Sequence, residues 1–448
     1  MHENSDRYEA CRTAEDTAGR ARARERVDAL VLASTRRKHR ILDAGVRSGA
    51  PLRNDTTLVR LAAGGRDVHT SVHGTAPDSL VGALEAARRL LPFGRVYAEA
   101  RPLLPDRTWD QVAFFDNTAE APDSLAWLLT ELQGLAEFVG SHQGVSLRIA
   151  DCVLTVDHRA TAFASPERPQ AAGYGVTRLE LRTLVEVERA GRRIRLWAAR
   201  HGHRLRELPM KEMLEEAGWR GAAMLASHAK PGPGAGNTLM LAPRAAASLL
   251  GLVVKDLVDG FPVSTGPLPA AVLDDPAAVG GYHVHPFDEE GAPSGPTVLL
   301  GRTGTRTRLT CRGSGDGQGT VALTGHAARG GESEVPEALP SNVRLETAPS
   351  DYAHDEYEGL LAYDLRGDGV QRMRSGSCFT VRLDVARLSE GKVAHGAGTV
   401  VLTATTAEVL SAITATTPTR SYFPGRTHSV GGTWLSLGLS SLRFENVA

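Results

Sequence analysis

Two histidine pairs and one acidic run are the residues of this chain whose types and spacing could do chemistry. His283 and His285, in YHVHPFDEEG over 282–291, would point the same way on a strand, and with Asp288 close behind them three candidate metal ligands lie within six residues. Such a site needs a further protein ligand in fixed geometry, and Pro286 breaks the strand at once, so an exposed loop is the competing reading. His201 and His203 flank Gly202 in ARHGHRLRE, where Arg200, Arg204 and Arg206 would repel a cation. Asp288, Glu289 and Glu290 run into Gly291, a turn pattern. That cluster could bind a substrate amine or a partner's basic side chain; the plainer reading is a solvated acidic turn.

Other chemistries find less support. No GxSxG elbow occurs, and Cys378 in SGSCFTVR stands where a strand begins, which suits a packed thiol better than an activated one. GPGAGN over 232–237 has the glycines of a phosphate loop but leads into a strand, whereas phosphate cradling needs a helix N-terminus. RGSGDGQG over 312–319 reads as a turn-rich connection. Cys11, Cys152, Cys311 and Cys378 show no CxxC spacing, which argues against a zinc ribbon or a thioredoxin-like motif and favours a reduced, cytoplasmic protein. Lys plus Arg at 51 nearly cancels Asp plus Glu at 52, so no overall basic field points to nucleic acid. The opening residues MHENSDRYEACRTAEDTAGRARARER hold no apolar segment of the secretory kind, and no window approaches a membrane-spanning run.

The elements that must position these residues follow from period and punctuation. At 448 residues, with 42% hydrophobic and 23% charged residues, the chain is globular and long enough for two large domains. The stretch from Asp6 to Leu30 mixes helix formers with Arg20, Arg22, Arg24 and Arg26 on more than one side, which predicts a solvated helix. ALVLAS and HRILDAGV alternate as strands do; 76–91 and 121–138 carry the leucine period of helices. Between Val145 and Trp197 short strands dominate, and Leu208 to Ala229 is a further helix. KPGPGAGN is the best linker, so the domains are expected to span 1–230 and 231–448. Past it, one helix from Pro243 to Val258 is apolar in nearly every direction and should be buried. Gly-punctuated strands follow, with a short helix over 406–414. The fold class is therefore α+β: an N-terminal strand layer with packed helices, then a mainly β domain carrying one buried helix.

From Thr238 to Gly260 the chain reads TLMLAPRAAASLLGLVVKDLVDG, with VLDDP at 272–276 and PFDEEG at 286–291. That order, with LPSNVRLE at 339–346, GSCF at 376–379 and the closing SVGGTWLSLGLSSLRFENVA, resembles the TldD/PmbA family. The N-terminal half matches it only in layout. Active members of the family carry a zinc peptidase motif, HExxxH, on the helix after Ala-Pro-Arg. Laying Leu249-Leu250 on the leucines that precede the motif puts Gly251 at its first histidine, Leu252 at its glutamate and Asp256 at its second histidine. Glycine and leucine can neither bind zinc nor take a proton from zinc-bound water.

The resemblance therefore implies the metal-free TldE or PmbA branch, with no catalytic or metal residue in this chain. It further implies a hetero-oligomer with a TldD-like subunit that supplies the zinc, acting on peptides, peptide-like natural products or an amide-bearing metabolite. It sets Asp288, Glu289 and Glu290 close to the active cleft. Two alternatives stand beside it: an independent enzyme with a metal site on His283 and His285, and a peptide-binding module without a peptidase partner.

Overall fold

Period-two apolar patterning in the N-terminal half builds one large antiparallel sheet. The computed structural model of the chain describes residues 2–42, 45–96, 114–166, 168–226, 238–261, 263, 267–312, 323–329, 335–347, 357–372, 378–389, 392–417, 421–425 and 428–447. The strands of the first sheet are β1 (Arg26–Leu42), β2 (Gly45–Ser48), β3 (Leu52–Ala63), β4 (Arg66–His73), β5 (Arg95–Val96), β6 (Ser146–Ser165), β7 (Arg168–Arg189) and β8 (Arg192–Gly202). Their order is β5-β4-β3-β1-β6-β7-β8, with β2 hairpinned onto β1. In this register Arg36 of β1 stands opposite Asp157 of β6, which stands opposite Arg178 of β7.

Alternation gives the two faces of the sheet different fates. On one face Ala29, Val31, Ala162 and Ala164 receive Ala10, Ala14 and Ala18 of α1 (His2–Ala18), a stripe of small residues spaced by four. Further along that face, α2 (Pro77–Leu90) packs Leu84 and Ala87 on Val27, Val59 and Leu61. α3 (Pro122–Gln143) and α4 (Met210–Leu225) cover Leu154, Val156, Leu179 and Leu181. Proline at the first turn starts α2 and α3, and Gly144 in the left-handed region closes α3. The solvated helix expected over Asp6 to Leu30 is corrected twice. It stops at Ala18, and its alanine stripe is buried; Arg26 already belongs to β1.

The second half is mainly β. β9 (Thr238–Leu241) leads into α5 (Pro243–Asp259), followed by β10 (Ala270–Asp274), β11 (Thr297–Leu300), β12 (Ala327–Ala328), β13 (Glu337–Ala338) and β14 (Asn342–Thr347). Then come β15 (Gly359–Arg372), β16 (Cys378–Ser389), β17 (Lys392–Thr405), α6 (Thr406–Ser411), β18 (Ile413–Thr416), β19 (Ser421–Pro424), β20 (Ser429–Gly432), β21 (Leu435–Gly438) and β22 (Arg443–Val447). They form a seven-stranded sheet β18-β21-β9-β15-β16-β17-β22, a five-stranded sheet β11-β10-β14-β20-β19 and the pair β12-β13. The architecture is α+β. The linker read over KPGPGAGN falls on 227–237, outside the described residues.

α5 lies between the seven- and five-stranded sheets, in one core with Leu239, Leu360, Val381, Val343 and Val430. It is not apolar all round: Ser248, Lys255 and Asp259 form an exposed stripe, and Gly251 and Leu252 beside them are half-buried. α4 joins the two halves. Its face away from the first sheet shares a core with Leu361, Ala386 and Leu388, and Trp219 meets Trp434 edge-on at 4.6 Å.

Candidate functional site

Among the described residues no helix packs on the second face of the first sheet where the segment 281–292 crosses. Phe287 and Val284 enter a cluster with Leu30, Leu58, Phe163, Tyr174 and Val176. Gly291, at φ 77°, sits against Phe163 so closely that a β-carbon there would lie 2.4 Å from the ring. The segment is stapled at several points. Asn342 Oδ1 accepts from the His283 amide at 2.9 Å, while its Nδ2 donates to the carbonyls of Asp275 and His283. Asp288 accepts from the amides of Glu290, Ala292 and Ala327, each at 2.9 Å.

The candidates read from the sequence are distributed as follows. His283 and His285 lie in irregular backbone rather than on a strand, and the segment is packed between the halves rather than an exposed loop. Both rings line a cavity of about 810 Å3 between the segment and the sheet, together with His326, Tyr174 and Arg178. Burial, then the charges of Arg178 and the neighbouring histidines, push His283 well below its ordinary pKa; burial and His326 push His285 down to about 4. Both are neutral at pH 7. Asp288 is held by backbone donors; burial and Glu290 push it up to about 7 while the three amides pull the other way. Burial likewise raises Glu289, which faces Arg329 at 3.5 Å, and Glu290, which accepts from the Arg312 amide at 2.7 Å. Asp288 and Glu290 are buried, so the solvated acidic turn is corrected as well.

His201 and His203 part company. His203 is buried and bridges the halves, with Nδ1 2.7 Å from the Thr177 carbonyl and Nε2 2.5 Å from the Gly281 carbonyl. Burial lowers its pKa although both carbonyls favour the protonated ring. His201 meets the Tyr282 ring edge-on. Below the segment, Asp274 accepts from the amides of Ser341 and Asn342 and lies 2.7 Å from His326 Nε2. Burial alone would raise Asp274, but His326 and Ser341 outweigh it and hold the carboxyl below its ordinary range.

The charged part of the open face escaped the sequence reading. Asp157 and Arg159 on β6, and Arg178, Glu180 and Arg182 on β7, repeat every two residues inside otherwise apolar strands, which is the signal that could have found them. Arg36 and Arg159 both bond Asp157 Oδ2, at 3.2 and 2.8 Å. Arg178 packs its guanidinium over the Tyr282 ring at 4.9 Å, and burial followed by Arg159 pushes its pKa down to about 10, so it stays charged at pH 7. Arg178 and Tyr282 line both the large cavity and an adjoining one of about 330 Å3.

The residues at the motif positions of α5 do not fit a zinc ion. Gly251 offers no donor; Leu252 is apolar; Asp256 turns into the core and accepts from Thr406 Oγ1 at 2.6 Å. Among the described residues no three His, Cys, Asp or Glu side chains are grouped so as to hold a metal ion, which leaves His283 and His285 without a further ligand.

Residues 269–447 match the PmbA/TldA metallopeptidase C-terminal domain. The second half of the chain is thus of the metallopeptidase-family class, whatever this copy has kept of the chemistry. Over residues 269–447 the chain is similar to the TldD/PmbA family. Its fold is that of TldE from Thermococcus kodakarensis, at 14% identity and a TM-score of 0.72 over 96% of this chain and 97% of that one. A proposed modulator of DNA gyrase from Bacteroides thetaiotaomicron superposes at 13% identity and a TM-score of 0.70 over the full length of both chains. Another from Thermotoga maritima superposes at 14% identity and 0.66 over 92% and 95%. No curated protein matches by sequence. No helix among the described residues is long and apolar enough to cross a membrane.

Proposed function

We propose that this chain is the zinc-free, TldE-like subunit of a heteromeric metallopeptidase or amidase. A TldD-like partner supplies the zinc, its ligands and the general base, and the pair cleaves peptide or amide bonds in small peptides or a peptide-like natural product. The observation that carries the reading is α5. It is a proline-started, largely buried helix at the place where the resemblance expects the motif, and Gly251, Leu252 and Asp256 supply neither two imidazoles nor a free carboxylate. A subunit of this kind walls the substrate chamber and holds the partner's helix in register. A cytoplasmic location suits its four free cysteines.

The test is co-expression with a homologous chain that retains HExxxH. The two should elute as one complex at micromolar concentration, with zinc bound and peptide hydrolysed only when the partner's motif is intact. Separate elution, or zinc and hydrolysis by this chain alone, overturns the reading.

A further inference from the structure

The open face of the first sheet carries more cationic charge than its own carboxylates neutralise. Asp157 is shared by Arg36 and Arg159 through a single oxygen. Arg178, opposite Asp157 in the ladder, forms no ion pair among the described residues; its Nε is buried without a hydrogen-bond partner, although Asp157 Oδ1 is also unpartnered. The guanidinium instead stacks on Tyr282 of the crossing segment, in the wall common to both cavities. Nearby, the buried Nε2 of His283 also lacks a partner. Arg178 and His283 are half-buried, but a guanidinium Nε and an imidazole nitrogen that are themselves buried without partners are costly to fold, and a ligand that brings a hydrogen-bonding group to them satisfies them. The larger cavity, about 810 Å3, is of the size that holds small ligands.

We propose that Arg178, with Tyr282 and His283 around it, is a carboxylate-recognition subsite that selects acidic peptides. A carboxylate matches the planar fork of a guanidinium. The cavity lining holds Arg36, Arg53 and Arg159 beside Arg178, a cationic surround that favours an anionic group. The inference rests on the peptide-acting reading only for its choice of ligand class.

The test uses the full-length chain and calorimetric titration with three probes. They are acetyl-tetra-alanine with a free C-terminus, its C-terminal amide, and acetyl-Ala-Ala-Glu-Ala-amide. At least one carboxylate probe should bind about tenfold or more tightly than the uncharged amide, and which one does so separates a terminal from a side-chain carboxylate. Arg178→Met should abolish that preference, Arg178→Lys should retain part of it, and Arg178→Met should not lower the melting temperature, because the variant removes a half-buried charge that forms no ion pair among the described residues. Equal binding of all three probes, no binding up to about 1 mM, or an unchanged preference in Arg178→Met overturns the proposal. A clear loss of melting temperature in Arg178→Met does so too, since it marks a structural strut. Binding of acidic peptides by a chain that forms no complex with a TldD-like partner would sink the subunit reading and leave this one standing; complex formation without acidic selectivity would do the reverse.

Discussion

Rebuilding the motif by Gly251→His, Leu252→Glu and Asp256→His should destabilise the chain without giving it zinc. The cost is uneven along the helix. Gly251 is half-buried, and a β-carbon there would meet only Val430 at 4.0 Å, so a histidine has room and gains a few tenths of a kcal/mol in helix propensity. Leu252 is also half-buried beside the exposed stripe, so exchange for glutamate loses about 1 kcal/mol of apolar burial rather than the larger penalty of a fully buried carboxylate. Asp256 is the expensive position. It is 1% exposed, its bond from Thr406 is worth about 1.5–3 kcal/mol, and the larger imidazole adds roughly 1–3 kcal/mol of overpacking. The total is about 3–6 kcal/mol, which at about 2 °C per kcal/mol predicts a melting temperature lower by ~6–12 °C. Zinc should still fail to bind tightly. Residues five apart on an ideal helix are turned by about 140°, and here the 256 side faces Thr406 while the 251 side faces the open edge. Differential scanning fluorimetry of the three single variants and the triple, with elemental analysis, decides it. A triple variant within about 1 °C of the parent that holds one zinc per chain and cleaves peptides would refute the reasoning.

Three further outcomes follow from the packing between the halves. Burial and His326 depress His285 to about 4, so its neutral form contributes stability above the unfolded value near 6.5 that is lost as pH falls toward 4; the parent should lose about 3 kcal/mol more than His285→Gln over that range in urea titrations, and equal losses refute the assignment. Asp274 is depressed instead, so Asp274→Asn should cost about 2–4 kcal/mol at pH 7, with the gap closing as pH drops below about 4; a gap independent of pH refutes it. Gly291→Ala combines a positive φ with a contact on Phe163 and should cost about 2–4 kcal/mol, read from the denaturation midpoint together with faster hydrogen exchange over 284–292; a stability unchanged within about 0.5 kcal/mol would show that the segment gives way.

Much of the fold was legible because its elements carry local signals. Proline starts α2, α3 and α5 and glycine closes α3 and α5, so these helices lie close to where the sequence put them, α3 running on to Gln143; the period-two runs marked β6 to β8, but β6 and β7 are single strands of 20 and 22 residues where short strands were expected. The misreadings share a cause. Four arginines drew attention from the alanine stripe of α1, because a small-residue face is a weak hydrophobic signal until a sheet is present to receive it. Ser248, Lys255 and Asp259 fall on one stripe of α5, but the many apolar residues around them hid it. Arg178 was legible only as one member of the charged repeat in β6 and β7; that it walls the cavity depends on the pairing of β6 with β7 and on the crossing of Tyr282, which no local pattern shows.

The distribution of satisfied and unsatisfied groups separates the two regions that compete for a role. α5 is an ordinary element: started by Pro243, closed by Gly260 in the left-handed region, packed on two sheets, its one buried carboxylate bonded to Thr406. The segment 281–292 is different. Asn342, Asp288, His203 and Gly291 fix its backbone at several separate points, far more than a connection needs, and what they hold in place is Tyr282 and His283 over a guanidinium that forms no ion pair among the described residues. Rigid support around unpaired polar groups is the reverse of what stability alone favours, because the same backbone could be pinned over an apolar face at less cost. Loss of the motif from α5 therefore does not leave the chain without a site; it shifts the place where a ligand would be recognised from the helix to the cavity between the sheet and the crossing segment.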